Sequence, residues 1–190
     1  MLSFWTWFEA NKVALRSVKP EDPTWNELTS QLHTVDADLV FEFGPADAQP
    51  RMFAVSGDGL TEEVPIVQQM VRLSPRLTGW NIVAFRPPLR DPSPAVEYQG
   101  ASLNPRDVWF RATPSGDKFD LDLYVRGWPN SPSEAQTGCI FLLLDHVIGE
   151  YSTIVHLARI ESHPLAAGPK KGLKTLLELP TVVTRDKAWN

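Results

Sequence analysis

The sequence predicts an α+β fold: two layers, with an antiparallel or mixed sheet and helices packed on one face. Three observations lead there. Apolar residues follow a helical period up to residue 36 and a period of two from Asp38. The order strand, strand, helix, strand then occurs twice, over 38–86 and 107–161, as a ββαβ pseudo-repeat without shared sequence. Such units arise by duplication or simply recur in two-layer folds. Between the copies, residues 87–106 read as a proline-rich linker. Either copy is too small to bury a sufficient core alone, so a single domain over 1–190 with one joint sheet is expected.

In the helical N-terminal segment (1–36), Phe4, Phe8, Leu15 and Val18 fall on one stripe with Trp5 beside it, predicting a helix over 3–18. Asp22 reads as the N-cap of a second helix, with Pro23 at its first position and Trp25, Leu28, Leu32 and Val35 on its apolar face. Leu39, Phe41 and Phe43 alternate with Val40, Glu42 and Gly44, the signature of a strand, and Arg51 to Ser56 reads as a second one. Thr61 to Leu73 is the first copy's helix, with Pro65 tolerable near its first turn and Val64, Val67, Met70 and Val71 buried. Trp80 to Arg86 is apolar on both faces and reads as an interior strand.

Beyond the linker come a short strand (Val96 to Gln99), a turn at Asn104-Pro105, a strand from Asp107 to Ala112 and a hairpin turn at Ser115-Gly116-Asp117. Phe119, Leu121, Leu123 and Val125 then alternate with Asp120, Asp122, Tyr124 and Arg126, the clearest half-buried strand in the chain. Ser131-Pro132-Ser133-Glu134 reads as a capping box that opens a helix running toward Gly149. Its apolar residues, Cys139 to Leu144 with Val147 and Ile148, wrap most of the circumference and place it at the centre of the core. Ser152 to Glu161 reads as a strand with Ile154, His156, Ala158 and Ile160 on one face. Leu173 to Leu179 reads as a short helix before a polar tail ending in Trp189.

Composition excludes several function classes. A net charge of −5 argues against a nucleic-acid partner, which calls for a basic face. One cysteine rules out an internal disulfide framework and any multi-cysteine metal site. No window approaches the roughly 18 apolar residues of a membrane span, and Glu9, Asn11 and Lys12 interrupt the apolar start that a signal peptide needs. A cytoplasmic protein with no membrane partner is expected.

Catalytic motifs are sparse. The four histidines form no HxH or HExxH, and there is no CxxC, P-loop or aspartate-rich calcium loop, so no cofactor and no metal is expected. Gly57-Asp58-Gly59 before a helix has the outline of a phosphate turn, but Glu62 and Glu63 would repel the anion. Gly100-Ala101-Ser102-Leu103-Asn104 lacks the second glycine of a nucleophile elbow and reads as a surface loop. His146 and Glu150 stand four apart and would share a helical face if the helix continued past Gly149; with Asp145 they could serve acid–base chemistry or a hard metal. The bland reading makes them last-turn polar groups near the helix C-terminus.

The binding candidates are Glu42, Arg86, Arg111, Asp120, Asp122, Tyr124 and Arg126. If the two hairpins are neighbours, one sheet face carries interleaved carboxylates, arginines and Tyr124. That face is either a recognition groove or the solvated side of an antiparallel sheet. Trp109 and Trp128, with Arg86 and Arg90, have the residue types of interface hot spots, although tryptophans also build cores.

Phe4-Trp5-Thr6-Trp7-Phe8, Gly79 to Pro87 and Leu143 to Glu150 resemble the recurring landmarks of a family of uncharacterised bacterial proteins carrying a domain of unknown function. The resemblance implies a bacterial, cytoplasmic, single-domain protein and no particular substrate. The expected function is a non-catalytic module that binds another protein or forms a homodimer; an immunity-type protein masking a basic nuclease is one version. The alternative is an enzyme, such as a hydrolase, assembling Asp120, Asp122 and His146 in space.

Overall fold

The change of apolar period at Asp38 marks the passage from helices to strands in the computed structural model, which describes residues 1–167 and 171–185. The fold is α+β. The chain divides into two compact units, Met1–Arg86 and Pro87–Asn190, and the division falls where the proline-rich linker begins.

The first unit contains α1 (Leu2–Leu15), α2 (Pro23–His33), β1 (Val40–Phe43), β2 (Arg51–Ser56), a 3₁₀ turn (Thr61–Glu63), α3 (Val64–Arg72) and β3 (Trp80–Ala84). Its core is aromatic. Phe53, fully buried on β2, lies opposite Phe43 of β1, and the rings of Phe4, Trp5, Phe8, Phe41 and Phe43 stand 4.7–6.4 Å from its own. Such rings supply most of the apolar area that a small unit can hide from water. Arg51, also buried, closes one end by donating to the Leu15 and Gly44 carbonyls under the Phe43 ring. Pro65 sits in the first turn of α3, where its missing N–H costs nothing. Asp22 occupies the N-cap position of α2, but its carboxylate accepts from the Lys19 amide instead of capping the helix.

Two expectations fail here. β3 is an edge strand, not an interior one: the order is β1-β2-β3, with β1 antiparallel and β3 parallel to the central β2. Only Trp80 of β3 is buried, Asn81 is exposed and the rest are half-buried, so apolar character alone did not mark an interior strand. Nor do the two copies share a sheet; each ββαβ run closes its own.

The second unit opens with β4 (Val96–Tyr98) and β5 (Ala101–Leu103), a hairpin about the two-residue turn Gln99-Gly100, so the segment expected as a surface loop is a strand. After a 3₁₀ turn (Pro105–Asp107) come β6 (Val108–Ser115), β7 (Lys118–Val125), α4 (Glu134–Ile148), α5 (Glu150–His156), β8 (Leu157–Pro164), β9 (Lys174–Thr175), a 3₁₀ turn (Leu176–Glu178) and α6 (Leu179–Arg185). The sheet order is β8-β7-β6-β9. Phe110, Leu121, Leu123 and Val125 of the inner face form one core with Cys139, Leu143, Leu144 and Val147 of α4.

β6, β7 and β8 repeat the neighbours and senses of β1, β2 and β3: an antiparallel hairpin, a helical crossover, then a strand parallel to the second. The pseudo-repeat is therefore one of topology.

Other boundaries shift for local reasons. The α4 capping box is Ser133 with Gln136, not Ser131 with Glu134: the Ser133 hydroxyl accepts from the Gln136 amide and the Gln136 side chain accepts from the Ser133 amide. Phe141 on α4 is 45% exposed, so the helix is not covered all round. Gly149, at φ 83°, ends α4 in a conformation other residues resist, and the chain turns by 102° into α5. The Thr153 amide and hydroxyl both donate to the Gly149 carbonyl, holding residues that β-branching would send into a strand. β8 consequently starts at Leu157, and His156 ends a helix. The last helix also comes late, after β9, and Trp189 of the polar tail lies outside the described residues.

Candidate functional site

Alternation along β7 sends Leu121, Leu123 and Val125 into the core and Asp120, Asp122 and Tyr124 to the other face. Register then decides their neighbours. Across β6, β7 and β8 the rows on this face are Thr113, Asp120 and Arg159; Arg111, Asp122 and Glu161; and Trp109, Tyr124 and His163. Arg111, Arg159 and Glu161 are exposed, whereas Asp120, Asp122, Tyr124 and His163 are half-buried. The face meets solvent at these residues, whereas Trp109 is buried.

A β-bulge arranges the third strand. Phe119 pairs with Leu157 but Asp120 pairs with Arg159, so Ala158 is the extra residue. Leu157 can therefore face the core while Arg159, Glu161 and His163 all join the polar face. Ser162 turns inward and accepts a hydrogen bond from the Trp128 indole.

Charge on the face is organised around Arg159. Its guanidinium lies 2.6 Å from Glu161, 3.2 Å from Asp122 and 3.7 Å from Asp120. The hydrogen bond to Glu161, and then the fields of Glu161, Asp122 and Asp120, hold Arg159 still more firmly protonated than a free arginine. His163 Nε2 stands 3.7 Å from both Asp122 and Glu161, and its ring lies 5.4 Å from Tyr124. Two cation–π contacts flank this network: Arg111 over Tyr124 at 5.8 Å and Arg126 over Trp109 at 5.4 Å. Arg126 is also paired with Asp107 at 3.1 Å.

Asp122, Glu161 and His163 offer ligand atoms within 4.8 Å of one another, a donor set for a divalent metal. Arg159 already presents a cation to the two carboxylates, so a metal would compete with it.

Five of the seven sequence-derived candidates, Arg111, Asp120, Asp122, Tyr124 and Arg126, meet here. Glu42 and Arg86 do not. Glu42 is on β1, opposite Ala54 of β2, and Arg86 pairs with Asp58 at 3.1 Å; both belong to the first unit, because each hairpin pairs locally instead of with the other copy. His146 and Glu150 fall on two helices separated by the bend at Gly149, which removes their shared face. His146 lies on α4, against the apolar side of the sheet, so it does not join Asp120 and Asp122 on the other side. Trp128 is a core residue. Arg159, Glu161 and His163 were missed, although their alternation with Ile160 and Ser162 is a visible period of two.

A groove of about 480 Å³ lies instead in the first unit, lined by Ser74 to Thr78 and Trp80 to Ile82, and brings together no acid–base pair. Among the described residues no single helix is long and apolar enough to cross a membrane; α4 and α5 reach the length only together, across their bend. Compared with protein-family models, curated proteins and solved structures, the chain finds no match.

Proposed function

We propose that the protein is a non-catalytic binding module of the bacterial cytoplasm that engages another protein through the polar face of β6, β7 and β8. The observation that carries this reading is a solvent-facing sheet on which Arg111, Tyr124 and Arg126 are displayed around carboxylates already held by Arg159. Arginine and tyrosine dominate interface energetics, and groups fixed before binding lose less entropy on association. Mixed charge suits a protein surface better than a polyanion.

The test compares wild type with Arg111→Glu and Tyr124→Ala in affinity capture from cell extract, beside sedimentation velocity of the purified chain. A protein retained by wild type and weakened roughly tenfold or more by either variant supports the reading. Self-association abolished by the same variants makes the partner a second copy. Capture that both variants leave unchanged removes this face from the function.

The second reading is an enzyme, a hydrolase for instance. It is favoured by His163, 3.7 Å from each of two carboxylates and able to exchange a proton with a ligand above the sheet. Turnover of a small substrate that His163→Ala abolishes, with binding partners unaffected, would favour it over the first.

A further inference from the structure

In the first unit, three carboxylates converge from two distant stretches of chain. Asp36 and Asp38 lie in the connection from α2 to β1, where Asp36 Oδ1 accepts from the Asp38 amide at 3.0 Å. Leu39, fully buried, anchors that connection. Glu63 ends the 3₁₀ turn before α3. Ligand oxygens of Asp36, Asp38 and Glu63 all lie within 4.8 Å of one another.

Glu63 is the unusual member. It is 6% exposed, and its Oε2 is buried with no hydrogen-bond partner among the described residues. Leaving an ionised carboxylate buried and unpaired is expensive, so such groups acquire a proton or a cation. The backbone makes room for this side chain: Gly57 lies against it, and a Cβ at Gly57 would collide with the Glu63 side chain. Gly57 of the Gly57-Asp58-Gly59 turn thus leaves space for the aliphatic stem of Glu63. Burial, and then the charges of Asp36, Asp38 and Glu62, push the Glu63 carboxyl above its ordinary range.

We propose that Asp36, Asp38 and Glu63 form a binding site for a hard divalent cation, with Ca2+ the best fit. The donors are all oxygen, which excludes preference for soft metals. The three oxygens lie within 4.8 Å of one another, close enough to share one ion, and carboxylates gathered from an irregular connection suit the flexible coordination of Ca2+ better than the strict octahedron of Mg2+. Asp38 is exposed and Asp36 half-exposed, leaving room for water to complete the shell. Bound there, the ion ties the α2–β1 connection to the start of α3 and neutralises the buried Glu63.

The experiment is calorimetric titration of the full chain with CaCl2 and, separately, MgCl2, with Tm recorded at each endpoint. One Ca2+ is expected to bind with Kd about 10⁻⁴ M, toward the weak end of Ca2+ sites because only three protein ligands converge, and to raise Tm. Glu63→Gln is expected to weaken binding at least tenfold. Asp38→Asn, an exposed substitution that leaves the core intact, is expected to weaken it severalfold. Glu62→Gln, which removes only a nearby charge, should change it less than either. No heat and no Tm shift in wild type at about 10 mM Ca2+, roughly ten times the weakest affinities of such sites, overturns the proposal and leaves a proton as the neutralising partner. Equal Ca2+ binding by Glu63→Gln and Asp38→Asn overturns it as well, and tighter binding of Mg2+ overturns the choice of ion.

Discussion

Arg159 Nη2 donates to Asp122 Oδ1 at 3.2 Å, tying β8 to β7 across the polar face of the second unit. The same guanidinium reaches Glu161 and Asp120, so one cation separates three carboxylates. Arg159→Ala should lower stability slightly, because exposed pairs are weak, yet leave mutual repulsion behind. The loss should shrink as salt screens the repulsion. Urea unfolding at low and high ionic strength checks this; a deficit that persists at high salt would mean the arginine acts by packing.

Ala158 is the extra residue of the β8 bulge, so deleting it restores regular pairing with Leu157 inward and Arg159 outward. That deletion should be tolerated with a single cooperative transition. Deleting Ile160 instead drives Glu161 toward the core, at a cost of roughly 3–5 kcal/mol for an unpaired buried charge. Thermal unfolding of the two variants decides; equal destabilisation would contradict the assigned bulge.

Ser133 caps α4, while Ser131 does not. Ser133→Ala should cost about 1 kcal/mol. Ser131→Ala should stay within about 0.5 kcal/mol, as for other exposed sites. Equilibrium denaturation of the pair measures both.

Glu178 Oε2 accepts from the Thr175 amide and hydroxyl, each at 2.8 Å, and these two hydrogen bonds hold its carboxyl below the ordinary glutamate range. A depressed value means the folded state binds fewer protons than the unfolded one. The contribution is therefore complete above the ordinary range and lost as pH falls through the depressed value. An NMR titration of the Thr175 amide should show its midpoint below that of a free glutamate, and Glu178→Gln should remove the transition.

How much could be read beforehand follows from what each feature depends on. The helical stripe of Phe4 and Phe8 and the alternation of Leu121 and Leu123 are local patterns set by backbone period, and the structure shows both. Patterns of this kind do not report which side chains meet. The Ser152 to His156 stretch carries β-branched residues yet is helical, because Gly149 redirects the chain and the Gly149 carbonyl holds Thr153. Arg159, Glu161 and His163 reach Asp122 only through the register set at Ala158, and Glu63 reaches Asp36 and Asp38 only through the packing of α3.

From the sequence alone came the α+β class, most of the elements and the inward or outward sense of β7, since these depend on neighbours a few residues apart. Tertiary structure alone decided that the two copies close separate sheets, that Arg159 sits among three acids, and that a buried glutamate meets two aspartates. Those outcomes depend on hydrogen-bond register and on the cost of burying charge, which arise only when distant segments come together.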